Sequence, residues 1–400
     1  MKQTQTKMFD FSDVGLDFCV GSKNLFPDRF KKMLAQGYNT QTVSSVVVTG
    51  NQVVLTYGVN HGYVAGRVLK INASNLTGEY VIDSVIGNSV KLIIDDAPAL
   101  IHGGFTTLVA PLGWELEYEK ENIQIYKMKH IDESIIYVRM CFQNTSGNER
   151  NSIVVGVGKS ADIIKGIITD TNCIDDLGIC ETVALANSNI RWDFTKSISR
   201  EYDNYSYSQG YSAFGKAVVV GSPYHLILGY HLEATGKNSA ISGILPFNSL
   251  YPTLNYPILM AQNNGSSSNL GGNAQLERTV AYVGKNAVFF HNSDIYLLQR
   301  NFSKKSFLPE SIDGFNTTTC LPLPVFTATE RQYIGHCHNG VYQACYEDTN
   351  CPVIGHQSSP TMTVDVDFTS NLFTHYLRDD GNNTSTTWLV MAIEEIKNAS

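Results

Sequence analysis

What constrains this chain most is a period of two. From Thr42 the segment TVSSVVVTGNQVVLTYG reads as a strand, a Thr-Gly-Asn turn and a second strand. In the second strand Val53, Leu55 and Tyr57 alternate with Val54 and Thr56. Successive side chains of a strand point to opposite faces, so this spacing makes one face apolar and the other mixed. AGRVLKI, GEYVIDSV and SVKLIID continue the rhythm, separated by NASNLT and IGN. A run of short strands at this spacing predicts a small sandwich or barrel.

The alternation persists to the end of the chain. GWELEYEKENIQIYKMK, SIIYVRMCF and NSIVVGVG form a group whose charged residues can all face one way, with Leu116, Tyr118, Ile123, Ile125, Val138 and Met140 inside. KAVVVG and YHLILGYHLE predict a hairpin around Ser222-Pro223. TVAYVG, AVFFHN and IYLLQR follow, and TMTVDVDF and TTWLVMAIEEI close the chain as strands. One helical pattern interrupts this, at Asn24 to Leu34: Asn24 to cap, Pro27 in the first turn, and Phe26, Phe30, Met33 and Leu34 on one face, with Gly37 as the stop. The expected fold is mainly β, with several small sandwich- or barrel-like domains and a short N-terminal helix. With 400 residues the chain is too long for one ordinary core. Its expected divisions are an N-terminal arm and helix (1–40), an immunoglobulin-like or small-barrel module (41–110), a central β-domain (111–262) and a C-terminal β-domain (274–400). The polar stretch NNGSSSNLGGN is the interior boundary or a surface loop.

Composition narrows the function. Only 16% of residues are charged while 43% are hydrophobic, so Tyr, Asn, Ser, Thr and Gly make up the surface. A net charge of −8 and the lack of any Lys/Arg run longer than two argue against nucleic acid or an anionic membrane as partner. The first residues carry no signal-peptide stretch, and no window approaches the roughly 20 apolar residues of a membrane span. The chain reads as a soluble product of the cytoplasm. Eight cysteines at this length are no disulfide framework and read mostly as buried thiols.

Few motifs suggest chemistry. His61 lies in a bend with Gly58 and Gly62 nearby and has no second ligand in its stretch, which favours a turn-packing role. VVGVGKSADII resembles a phosphate loop, but Ile153 stands where the first glycine is required, so Lys159 reads as a solvated strand-end residue. HCHNGVYQACYEDTNCPVIGH is the one dense His/Cys cluster. His336, His338, Cys345 and Cys351 are candidate metal ligands, and Cys345 and Cys351 an alternative disulfide, although the spacing is not that of a zinc motif. Asp365 and Asp367 share one strand face, suited to solvent or a weakly held cation. Asn-x-Ser/Thr triplets at Asn72, Asn75, Asn204 and Asn316 are expected by chance in so Asn-, Ser- and Thr-rich a chain. No Gly-x-Ser-x-Gly elbow or His-Glu-x-x-His occurs, and no cofactor or catalytic residue is expected.

The order of elements resembles a family of tail- and baseplate-type virion proteins of tailed bacteriophages that carry an inserted small β-module. MLAQGYNTQTVSSV leading into NHGYVAGRVLKI and ASNLTGEYVIDSV carries the likeness first. PLGWELEYEKENIQIYK with IIYVRM, then RWDFTKS with KAVVVGSPYHLILGYH, carry it further, and RQYIGHCHNGVY more loosely. The likeness covers about residues 20–390, and the histidines and cysteine at 336–338 depart from its pattern. It implies a building block in which the His61 bend is part of a module, not a reaction centre. It implies other virion proteins and copies of the chain itself as partners, in a cyclic arrangement.

The expectation is therefore a non-enzymatic structural component of a virion. REYDNYSYSQGYSAFG contributes the interface candidates Tyr202, Tyr205, Tyr207, Tyr211 and Phe214, because tyrosine supplies contact area at small entropic cost. Two alternatives stand beside it: a protein that binds or cleaves host-surface glycan, and a capsid decoration or head–tail connector protein.

Overall fold

The computed structural model describes residues 6–17, 25–143, 151–186, 190–194, 217–231, 239–263, 279–291, 319–345, 361–365, 370–377 and 387–393. The fold is mainly β, with one short α-helix near the N-terminus. The helix spans Phe26–Lys31 and widens into a π-turn over Lys32–Gln36. Phe26, Phe30, Met33 and Leu34 all point inward, the face that the spacing predicts. Its first-turn proline is in place, but Leu25 occupies the cap position without a side-chain bond, and Asn24 lies outside the described residues. Gly37 ends the helix at φ +80, where its N–H reaches the Lys32 carbonyl at 2.8 Å. A β-carbon there would sit 2.5 Å from the Val109 carbonyl oxygen.

The strands between Tyr38 and Val109 close on themselves. Around the barrel the order is Tyr38–Thr49, Gln52–Tyr57, Ser89–Ile93, Leu76–Ile86, Val68–Ala73 and Thr106–Val109. The long first strand serves both ends of the closure. Its start pairs with Thr106–Val109 and its end with Gln52–Tyr57, and its register shifts between Tyr38 and Gln41 and between Val43 and Ser45. Such irregularities let one strand bend from one side of a small barrel to the other. Val43, Val53, Leu55, Tyr57, Leu69 and Leu92 fill the interior, leaving a packed core.

A 15-stranded sheet makes up the body. Its main path runs from Phe247–Ser249 through Tyr333–Cys337, Pro324–Thr327, Asn286–Phe289 and Thr279–Val283 to Ile258–Asn263. It continues through Ile190–Asp193, Ser152–Gly158, Ile135–Phe142 and Ile123–Lys129 to Glu115–Lys120. The strand Ile258–Asn263 is a fork. Ile190 and Arg191 pair with its end, while Gly243 to Leu245 pair with its start. The branch leads through His225–His231 and Ala217–Ser222 to Lys7–Asp10. The hairpin turns at Pro223-Tyr224, with Ser222 opposite His225. Gln262 lies opposite Thr279, so the strands on either side of the polar Ser/Gly/Asn stretch are hairpin partners in one sheet. A separate five-stranded sheet, containing Thr319–Pro322, Tyr342–Cys345, Thr387–Ala392, Ser370–Leu377 and Thr361–Asp365, packs on the branch, where His375 Nε2 lies 2.8 Å from the Ala240 carbonyl.

Ser152–Gly158 is buried at every position, so both faces of this strand are covered. Of the residues expected inside this group, Ile125, Val138 and Met140 are fully buried, whereas Leu116, Tyr118 and Ile123 are half-buried near the sheet edge. The opposite face of Ser152–Gly158 is not solvent-facing as simple alternation implied. The turns of 169–186 cover it, and Gly156 allows the closest approach: a β-carbon there would lie 2.6 Å from the Leu177 carbonyl oxygen.

Three polar links fasten the barrel to the body. Arg67 forks onto Asp13, with Nε to Oδ2 at 2.7 Å and Nη2 to Oδ1 at 2.9 Å. Tyr38 donates its hydroxyl to Asp13 Oδ2 at 2.8 Å. Lys7 pairs with Glu79 at 2.7 Å and also donates to the Pro111 carbonyl. Arg67 and Asp13 are both buried; burial works against the Arg67 charge, but the Asp13 charge and hydrogen bonds, with Tyr38 and Asp10, together outweigh it and hold the guanidinium proton more tightly.

Candidate functional site

The structure first disposes of several sequence candidates. His61 is buried in the barrel end, its ring stacked on Tyr63 at 5.1 Å and tilted against Tyr57 at 4.9 Å. Its Nδ1 accepts the Tyr63 N–H at 2.9 Å, and burial pushes its pKa down. It is a neutral packing residue of a turn. Lys159 follows a strand, as a phosphate loop requires, but what comes next is a small hairpin, Ala161–Asp162 against Ile167–Ile168, not a helix. Among the described residues no helix follows directly on Lys159 to receive a phosphate at its N-terminus. Its ammonium instead lies 4.3 Å from the centre of the Tyr256 ring.

Only part of the His/Cys cluster lies among the described residues, and that part is divided between two sheets. His336 and His338 are half-buried neighbours, and burial followed by the His336 ring lowers the His338 pKa. Cys337 points the other way into the core, where burial pushes its thiol up to about 11. Cys345 belongs to the five-stranded sheet, across from Thr319, while His336 belongs to the large one. Among the described residues no group of three or more His, Cys, Asp or Glu side chains is arranged to hold a metal. Cys351, Asp367 and the tyrosine-rich candidates Tyr202, Tyr205, Tyr207, Tyr211 and Phe214 lie outside the described residues.

Sequence reading missed a polar cluster around Asn255 and Tyr256. Asn255 donates to Asp132, and the next residue, Tyr256, donates to Asp170 at 2.9 Å. Asp170 also accepts the N–H groups of Lys159 at 2.7 Å and Asn172 at 2.9 Å. Asp132 accepts the hydroxyl of Ser134 at 2.6 Å and lies 3.3 Å from His130 Nδ1. Burial works against ionisation of Asp132, but Ser134, Asn255 and His130 outweigh it and hold the carboxyl at about 2. Asp170 is lowered in the same way against its burial, by the Lys159 and Asn172 N–H groups and Tyr256. Burial lowers the His130 pKa, partly offset by Asp132. Both carboxyls are thus ionised and saturated with donors, and neither holds a proton near neutral pH for transfer to a leaving group. The adjoining depression, lined by Val157, Ile174, Leu177, Pro257, Leu259 and Gly284, has room for no more than about one water. The cluster ties three turns together. Its members come from four separate stretches of chain, so no local spacing announced it.

The two ends of the large sheet differ sharply. Glu115–Lys120 is an edge of charges: Glu115 pairs with Lys127 at 2.6 Å and Glu119 with Lys31 at 2.7 Å. Charged edges resist further pairing. At the other end lies the three-residue strand Phe247–Ser249, followed by exposed Leu250 (61%) and Tyr251 (40%). Exposed Tyr333 (40%) on the neighbouring strand packs against Phe326 at 5.6 Å. Gln332 donates to the Tyr251 hydroxyl, and the Arg331 guanidinium lies 4.1 Å above the Phe289 ring. Exposed tyrosines, a leucine and an arginine on one small edge have the composition of a protein interface.

No family model matches this chain, and no curated protein matches it. Among solved structures it is similar to the phage phi92 endosialidase, at 8% identity over 90% of this chain and 52% of that one, with a TM-score of 0.16. The chain therefore spans about half the length of that protein. No helix among the described residues is long and apolar enough to cross a membrane.

Proposed function

We propose that this chain is a structural subunit of a tailed-bacteriophage virion, in the tail or baseplate, that performs no reaction and assembles with copies of itself and with neighbouring virion proteins. The observation that carries the reading is the unequal pair of sheet ends. One end is blunted by charge, and the other offers Leu250, Tyr251 and Tyr333 to a partner. A lightly charged surface suits extended hydrogen-bonding contacts between copies. The order of the strand motifs resembles that of tail and baseplate proteins. The saturated, ionised carboxyls around Tyr256 fit a brace better than an acid–base pair.

Sedimentation velocity of the full chain tests the assembly. The expected result is a concentration-dependent oligomer that the double variant Tyr251→Ser/Tyr333→Ser weakens by about 10-fold or more while its circular dichroism stays unchanged. A chain that stays monomeric at high concentration, and that mass spectrometry fails to find in purified particles, refutes the reading. Finding it in separated heads alone favours the decoration or connector role.

A glycan-binding role is the second reading, favoured by the same exposed rings: Tyr251 and Tyr333 stand beside the polar groups of Gln332 and Ser249. Retention of the wild-type chain on host polysaccharide, lost in the same double variant, would support it.

A further inference from the structure

Outside the features above, the cover of the buried strand Ser152–Gly158 holds a concentration of sulfur. Cys141 lies near the end of the strand Ile135–Phe142, and Cys180 closes the turn-rich segment that begins at Asp170. Both are buried free thiols, and the segments that carry them are tied together by the same two side chains. Asn122 donates its amide to Cys141 Sγ at 3.6 Å, to the Phe142 carbonyl at 2.9 Å and to the Glu181 carbonyl at 3.2 Å, so it touches both segments. Arg139 is two residues from Cys141 on the same strand face. Its Nη1 reaches Cys180 Sγ at 3.7 Å, its Nη2 the Cys180 carbonyl at 2.6 Å and its Nε the Gly166 carbonyl at 2.7 Å. Arg139 is 1% exposed, and these partners are two carbonyls and a sulfur. A buried cation whose partners are carbonyls and a sulfur favours negative charge on that sulfur.

We propose that Cys141 and Cys180 are a reversible dithiol–disulfide site that reacts with oxidised small-molecule disulfides of the glutathione class. The Cys180 thiolate attacks one sulfur of the reagent, whose S–S bond breaks and releases one small thiol. The Cys141 thiol then loses its proton to solvent and attacks Cys180 Sγ, forming the Cys141–Cys180 bond and releasing the second small thiol. Two protein thiols become one disulfide, and one reagent disulfide becomes two thiols. Cys180 is the attacking sulfur because the cationic Arg139 Nη1 lies 3.7 Å from its Sγ, whereas the Cys141 sulfur meets the neutral Asn122 amide at 3.6 Å. Cys180 sits between exposed Ile179 and Glu181 in a segment built only of turns, so a small local opening admits the reagent. The bond would pin the cover of the buried strand to the sheet beneath it. A chain made in a reducing cytoplasm would then stiffen after release into oxidising surroundings, whatever its partners.

Peptide mapping of the full chain after equilibration with oxidised glutathione tests this. The expected product is a Cys141–Cys180 linked peptide, lighter by about 2 Da than the two reduced peptides and reversed by dithiothreitol. In Cys141→Ser the expected product is glutathione retained on Cys180, because the second attack has no nucleophile. The oxidised wild type unfolds at a higher temperature than the reduced one, and Cys180→Ser shows no such difference. Cys173 competes nearby, but burial pushes its thiol up to about 11, so Cys173→Ser forms the same link at the same rate. A link through Cys173, glutathione trapped on Cys141 in preference to Cys180, or two thiols left untouched after full equilibration overturns the proposal.

Discussion

Replacing Asp13 by Asn tests how the barrel is attached. The substitution keeps the volume and removes the charge. Arg67 then keeps its burial, at 5% side-chain exposure, without the carboxylate that accepts its fork. Removing one partner of a buried ion pair costs about 3–5 kcal/mol, because the remaining charge stays out of water. With a urea slope of about 2 kcal/mol per molar, the barrel transition should move down by about 2 M. Removing only the two charges, as in Asp13→Leu/Arg67→Met, still strands the Tyr38 hydroxyl and the Asp10 N–H, which both donate to Asp13 Oδ2. The triple variant Asp13→Leu/Arg67→Met/Tyr38→Phe silences the hydroxyl as well and should recover most of the loss. Urea unfolding read by hydrogen exchange, strand by strand, separates the barrel from the body. A shift below about 1 kcal/mol for Asp13→Asn would mean that water reaches the pair. A triple variant as unstable as the single one would place the loss in packing rather than in charge.

Other outcomes follow from burial. His225 and His375 are held neutral, lowered by burial to about 3 and about 4 from an ordinary value of 6.5. The unfolded chain takes up these protons first, so the stability they contribute is complete above pH 6.5 and is lost as pH falls toward 4 and then 3. Melting temperature should decline over that window, and His225→Asn should flatten part of the decline; a wild-type profile level down to pH 4 contradicts this. Gly156→Ala forces a β-carbon to within 2.6 Å of the Leu177 carbonyl oxygen, and should cost about 2 kcal/mol in urea unfolding, because backbone on both sides must move.

Strand after strand was legible because the period of two survives wherever one face is wet. Val53, Leu55 and Tyr57 face inward as their alternation demands. The helix face of Phe26, Phe30, Met33 and Leu34 was legible for the same reason at its own period. Where both faces are covered, periodicity carries no such information. Ser152–Gly158 is buried throughout, and nothing local says that the turns of 169–186 lie over it. Pairing was equally hidden. That Lys7–Asp10 joins Ala217–Ser222, or that Ile258–Asn263 forks, depends on contacts between distant strands. The cluster at Tyr256 and the meeting of Cys141 with Cys180 share that difficulty, since each draws on segments whose neighbourhood only the folded chain creates. The His336, Cys337 and His338 run misleads for the opposite reason: adjacency in the chain places Cys337 on the opposite face from the histidines.

The pairing of Lys7–Asp10 with Ala217–Ser222 also sets an order of events on the ribosome. The first strand emerges about 200 residues before its partner, a wait of roughly 10–40 s at ordinary elongation rates. The barrel between Tyr38 and Val109 has all its strands long before then and can close alone. During that interval the nascent N-terminus has a finished module beside it and no sheet to join. A chaperone or a sister chain that captures it then would compete with the native docking, so slowing translation between Val109 and Ser222 should lower the yield of correctly anchored protein.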